Sequence, residues 1–150
     1  MAQHLTELPE ISMEGFQVVS GELFVHPPAK KEASCTIWYT SISFSKASLY
    51  ALNCCERIRI EVNSKTKCIL LVPVTAKDKD GIRWVKGIKE TTTRKIECKA
   101  FTSQLYKTWG LNPNMVYRTY GRIVAANNKI MLLFDFSDSK SWRSKIEVKA

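Results

Sequence analysis

The sequence predicts an α+β fold, mostly β, a single domain in which a strand, a helix and a hairpin follow one another twice after an N-terminal β segment. Three observations carry this. Residues 57–62 alternate Arg57, Arg59 and Glu61 with Ile58, Ile60 and Val62, the period of a strand whose successive side chains face opposite sides. Polar, turn-tolerant stretches, Asn63-Ser64-Lys65-Thr66-Lys67 and Asn127-Asn128-Lys129, each separate two apolar runs and so read as hairpin turns. The order of elements between Ile42 and Val74 returns between Ile96 and Phe136, an internal repeat of pattern rather than of residues.

Taken in order, EGFQVVSGELFV reads as two short strands around Ser20-Gly21, and HPPAKKEAS as a loop, since paired prolines sustain neither helix nor central strand. CTIWYTSISF reads as one long strand or two short ones. The first copy, 42–74, continues with Ala47, Leu49, Tyr50 and Leu52 near helical spacing, then the hairpin that Cys68 to Val74 completes. Residues 75–95 form a charged surface connection on which Ile82, Trp84, Val85 and Ile88 can dock. In the second copy, 96–136, Phe101, Leu105, Tyr106 and Trp109 make a clearer helical stripe, which Gly110 ends in the left-handed conformation. A turn at Asn112-Pro113-Asn114 leads into a strand from Val116 to Val124, and Ile130 to Phe136 returns beside it. The polar tail, 137–150, frays unless Trp142 packs down; Trp38, Trp84, Trp109 and Phe134 read as core or sheet residues.

A chain of 150 residues with 45% hydrophobic content can bury an ordinary core. Its formal net charge of +9 attracts polyanions, of which nucleic acid is the commonest. The start, MAQHLTELPEISMEG, lacks a basic segment followed by an apolar one, and no apolar run is long enough to cross a bilayer. The expectation is a cytoplasmic protein with no membrane contact. Five scattered cysteines, Cys35, Cys54, Cys55, Cys68 and Cys98, do not form a disulfide framework and read as small, reduced core residues.

A strand–helix–hairpin unit cannot bury both faces of its own strands, so two copies would pack together and close a small barrel. This order of elements resembles the AbrB-like, swapped-hairpin DNA-binding fold, which is normally assembled from two short chains; the parallel spans residues 42–136. That family opens its helix after an Ile-Pro pair, where this chain has Phe44-Ser45-Lys46 and Cys98-Lys99-Ala100. Gly121-Arg122-Ile123-Val124 looks like the family's Gly-Arg-Ile-Val but lies in the hairpin. Across nearly its whole length the chain also resembles a group of small uncharacterised proteins carried by mobile elements of gut bacteria and sometimes labelled integrase. VVSGELF, ISFSKASLYALN, FTSQLYKTWG and YRTYGRIV carry that likeness.

The integrase label fails on chemistry. A tyrosine recombinase needs arginine and histidine around the phosphate, and the only histidines are His4 and His26, both near the N-terminus. No C-x-x-C, H-x-H or H-E-x-x-H spacing offers a metal site, and no glycine-rich phosphate loop is present. Asp78, Asp80, Asp135 and Asp138 read as solvated turn residues. The expectation is therefore no enzyme and no cofactor. Basic residues instead recur at matched places: Arg57 and Arg59 on the first hairpin's strand, Arg118 and Arg122 alternating with Tyr120 on the second, Lys65 and Lys67 in one turn and Lys129 in the other. Lys46, Lys95 and Lys99 flank the helix starts. Arginine offers bidentate geometry to phosphate and tyrosine can stack on an unpaired base. The function expected is binding of double-stranded DNA, as a regulator or accessory protein of a mobile element, by a monomer or homodimer. A protein-interaction module with an acidic partner, antitoxin-like or anti-defence, is the first alternative. An RNA or single-strand binder is the second, favoured if Tyr120, Tyr117 or Trp84 is solvent-exposed on the basic face.

Overall fold

The computed structural model describes residues 8–24, 32–86 and 92–145. The chain divides into two units, Met1–Lys30 and Lys31–Ala150. In the first, residues 14–24 were expected to form strands and do not. A turn at Glu14-Gly15, with Gly15 at φ 87°, and a 3-10 turn over Gly21–Phe24 stand there instead. The backbone bonds are local, from Phe16 N–H to the Met13 carbonyl at 3.2 Å and from Leu23 N–H to the Ser20 carbonyl at 3.1 Å. Apolar residues such as Phe16, Val18 and Leu23 are exposed there, and a strand pattern whose described residues make only local backbone bonds yields no strand. Most of the proline-bearing loop, through Lys31, lies outside the described residues.

The second unit is mostly β. Its elements are β1 (Ser34–Ile37), β2 (Ser41–Phe44), α1 (Lys46–Ala51), β3 (Arg57–Asn63), β4 (Cys68–Val74), β5 (Ile82–Arg83), β6 (Ile96–Glu97), α2 (Lys99–Trp109), β7 (Met115–Ala126), β8 (Lys129–Asp135) and β9 (Lys140–Arg143). CTIWYTSISF is thus two short strands. The expected closed barrel does not form, because β5 and β6 end the sheet without pairing each other: the strands make one open, curled sheet in the order β5-β3-β4-β8-β7-β1-β2-β6, with β9 also on β7 and every pair antiparallel. The expected order of strand, helix and hairpin is present twice, as β2-α1-β3-β4 and β6-α2-β7-β8. Between these two stretches β2 pairs β6 and β4 pairs β8. Of the strands that precede these stretches, β1 lies between β2 and β7, and β5 pairs β3.

The core lies inside the curl, where Leu49 of α1 and Leu105, Tyr106 and Trp109 of α2 meet Ile58, Ile69, Leu71, Leu132 and Phe134 of the hairpins. Each such aliphatic side chain removed from water contributes roughly 1.5–3 kcal/mol. Of the α1 stripe, Leu49 and Leu52 are buried and Tyr50 is exposed. Gly110 caps α2 at φ 66°, as its position after Trp109 predicts. The Tyr106 hydroxyl lies 2.9 Å from the Ile37 carbonyl and 2.8 Å from that of Met115, tying α2 to β1 and β7.

Three stretches go beyond the sequence pattern. The charged connection supplies a fully buried Trp84, whose Nε1–H donates to the Cys55 carbonyl at 2.7 Å, and a buried Val85; Ile88 lies outside the described residues. The polar tail does not fray at 140–143 but pairs with β7, Trp142 standing opposite Val116. All five cysteines are free thiols, but only Cys35 and Cys68 are buried, and Cys54 is exposed in a positive-φ turn at the end of α1. Burial is the main reason that the Cys55 thiol is pushed up to about 11, and it raises Cys35 and Cys98 as well, so these groups stay protonated.

Candidate nucleic-acid interface

β7 is twelve residues long because it serves two groups of partners. Its first half, up to Tyr120, lies between β1 and β9; its second half, from Gly121, pairs with β8. Gly121 marks the change. A Cβ there would stand 2.7 Å from Cε1 of the fully buried Phe134, so only glycine lets the strand pass this close to the core.

Strand alternation places Arg118, Tyr120 and Arg122 on the outward face of β7, all three exposed. β1 and β9 set their neighbours. Arg118 stands opposite Thr36 on one side and Lys140 on the other. Its Nε–H donates to Thr36 Oγ1 at 2.7 Å, and its guanidinium lies 4.9 Å from the centre of the Trp142 ring. The Lys140 ammonium lies 5.8 Å from the centre of the Tyr120 ring. Just beyond β1, Trp38 carries the Lys95 ammonium 4.2 Å above its ring. Trp38, Lys95, Val116, Trp142, Arg143 and Lys145 all line one cavity of about 350 Å³, and among the described residues none in its lining is acidic. Cations and aromatic rings therefore interleave along this edge with hydroxyl and ring partners.

The face around β3 is built differently. Arg59 Nη1 donates to Asp78 Oδ2 at 2.6 Å, while its Nε and Nη2 reach Glu61 Oε2 at 3.2 and 3.0 Å. The Asp78 carboxyl is held below its ordinary range, first by the Asp80 backbone N–H and then by Arg59, with Lys129 adding to the effect. Arg57 is half-buried opposite Val74 and Arg83. Lys65 and Lys67 are exposed in a turn that Asn63 fastens by accepting from the N–H groups of Lys65 and Thr66, at 3.1 and 3.3 Å; Lys67 takes φ 56°. A wide hollow of about 1000 Å³ beside this turn is lined by Lys65 and Arg122 but also by Glu61 and Asp135. The Asp135 carboxyl is likewise held low, mainly by the hydroxyl and N–H of Ser137, with Arg122 contributing.

The nine residues singled out from sequence therefore divide. Arg118 and Tyr120 share the β7–β9 face, and Arg122 continues it toward Asp135. Arg57, Arg59, Lys65 and Lys67 belong to the β3–β4 hairpin, Lys129 to the start of β8, where its charge helps to lower the Asp78 carboxyl, and Lys99 stands exposed at the first position of α2. Lys140 and Trp142 were missed as interface residues because KSWR is too short for alternation to stand out; Trp38 was read as a sheet residue and lines the groove. Tyr117 and Trp84 are not platforms. Trp84 is fully buried, and the Tyr117 hydroxyl accepts from the Asn112 N–H at 3.0 Å. Among the described residues no group of three or more His, Cys, Asp or Glu side chains could hold a metal ion, and no helix is long and apolar enough to cross a membrane. Compared with protein families, with curated proteins and with solved structures, the chain gives no match.

Proposed function

We propose that this chain is a non-enzymatic nucleic-acid-binding protein, a small regulator or accessory protein of a mobile element, that takes the phosphate backbone of DNA on the outward face of β7 and β9. The observation that carries the reading is the row formed by Arg118, Lys140 and Tyr120, in which the cations contact a hydroxyl and aromatic rings rather than carboxylates. A cation already paired with a carboxylate must give up that partner to gain a phosphate; one resting on a ring exchanges much less. The net charge of +9 draws the polyanion to the surface, and the β7–β9 face gives it a place to dock.

The pairing of β1 with β7 and of β5 with β3, together with β2 on β6 and β4 on β8, supports a pseudo-twofold repeat. In this reading one chain carries both halves of an AbrB-like swapped-hairpin arrangement and acts as a monomer. The repeat is then one of backbone topology, with Arg118 and Lys140 of the second half resting on a hydroxyl and rings where Arg59 of the first meets carboxylates.

The test is fluorescence anisotropy of labelled random-sequence DNA at low and near-physiological salt. Wild type should bind with an affinity that falls steeply with salt. Arg118→Ala/Lys140→Ala should weaken binding on the order of tenfold and flatten the log–log salt slope by about 1.5, the share of two phosphate contacts. Arg57→Ala/Arg59→Ala should change both much less. No binding at low salt would end the nucleic-acid reading and turn attention to an acidic protein partner.

A further inference from the structure

Four tryptophans divide into two kinds. Trp84 and Trp109 are buried in the core, as structural tryptophans usually are, whereas Trp142 is 39% exposed and Trp38 half-buried, and these two line the same groove. We propose that the groove between Trp38 and Trp142 is a base-stacking subsite, so that the protein binds single-stranded nucleic acid in preference to duplex. This deepens the nucleic-acid reading and rests on it.

Chemistry of the groove favours an unpaired base with its phosphates over other occupants. Its two indoles offer flat apolar surface that any of the bases can cover, since every base presents a π-face. Each indole holds a cation over one ring face, Lys95 on Trp38 and Arg118 on Trp142, which fixes the ring and sets positive charge where the phosphates flanking a stacked base must run. Lys145 and Arg143 extend the basic lining, so that among the described residues the charged side chains around the groove are cations. A volume of about 350 Å³ falls in the range of small-ligand sites, ~300–1000 Å³, large enough for one nucleoside and far too small for a duplex. Tyr120, 49% exposed two residues beyond Arg118 on the same strand face, supplies a further platform along the path. A paired base, stacked inside a helix, cannot lay its face on any of these rings; an unpaired one can.

The role competing with this one is mechanical: Trp142 could simply fasten β9 to β7 across from Val116. The two are separated by a competition experiment. Anisotropy at near-physiological salt would compare oligo-dT, oligo-rU and a random duplex of equal length against wild type, Trp38→Ala, Trp142→Ala and Trp142→Phe, with circular dichroism and melting curves confirming that each variant is folded. Wild type should prefer a single strand of one or both sugars over duplex by at least about tenfold. Either alanine variant should lose about 5- to 100-fold in single-strand affinity, the usual span for one stacked base, while keeping its salt slope. Trp142→Phe, which keeps a ring, should retain most of that affinity, and titrating oligo-dT into wild type should quench tryptophan fluorescence. Equal or tighter binding of duplex, or alanine variants that bind single strands like wild type, would overturn the stacking subsite and leave the phosphate-binding face standing. Failure of every nucleic acid to bind at low salt would overturn both.

Discussion

Arg59 on β3 and Arg118 on β7 are outer-strand arginines of two hairpins that pair with each other through β4 and β8. Both come from stretches in which basic residues alternate with apolar or aromatic ones, yet their surroundings are opposite. Arg59 meets two carboxylates, Glu61 from its own strand and Asp78 from the connection nineteen residues later. Arg118 meets the Thr36 hydroxyl of β1 and the Trp142 ring of β9. Partners brought in from elsewhere in the chain, Asp78 for one and Thr36 and Trp142 for the other, therefore set whether a strand cation meets a carboxylate or a hydroxyl and a ring. Arg59 holds the connection to its hairpin through Asp78; Arg118 lies outward between a hydroxyl and a ring.

Breaking the framework on either side should have the largest effect. Trp84 packs under the first hairpin's edge through β5, and Trp84→Ala should cost about 3–5 kcal/mol, read as a large fall in the denaturation midpoint with loss of the Phe44–Trp84 contact, whose ring centres are 5.6 Å apart. On the second hairpin, Gly121→Ala forces a Cβ against the buried Phe134 ring and should cost about 1–3 kcal/mol. Because it acts where β7 passes from β1 and β9 to β8, this change should also weaken nucleic-acid binding, whereas an equally destabilising change confined to the first hairpin should not. Anisotropy at a temperature where both variants are folded would show the difference.

Smaller effects sharpen the contrast of charge. Asp78→Asn removes one carboxylate from Arg59 and should raise low-salt affinity for DNA by about twofold, the effect vanishing at high salt as an exposed electrostatic change must. A variant that binds no better would mean that the β3 face lies away from the ligand altogether. The pH dependence has a definite sign. Asp78 and Asp135 have carboxyls lowered in the folded protein, so the stability they add is fully present above the ordinary carboxylate range and is lost as pH falls through their lowered values. Melting temperature should therefore fall on acidification below that range, and the Asp78→Asn variant should fall less. Equal slopes for the two proteins would show that the Arg59 cluster contributes nothing measurable.

Much of the architecture is legible in the residue pattern, and the reason differs from element to element. Alternation in RIRIEV and the Asn63–Lys67 and Asn127-Asn128 turns mark both hairpins because period and turn chemistry are local; Asn127 and Asn128 indeed take φ 53° and 61°. The α2 stripe and Gly110 mark the helix for the same reason. EGFQVVSGELFV misleads, since its described residues make only local backbone bonds, and KSWR is silent, since four residues make too short a pattern. The candidate site is half legible: Arg118, Tyr120 and Arg122 stand out by alternation on one strand, while Lys140, Trp142, Trp38 and Lys95 join them only through pairing and packing.

What the sequence determined alone is therefore the two helices and two hairpins, their order, the positive charge and the cations exposed on strand faces and turns, all properties written in neighbours a few positions apart. Tertiary structure decided which of those cations are neutralised, which tryptophans are core and which line a groove. Asp78 reaches Arg59 across 19 residues and Thr36 reaches Arg118 across 82, and contacts at such separations arise only when the sheet brings distant strands side by side.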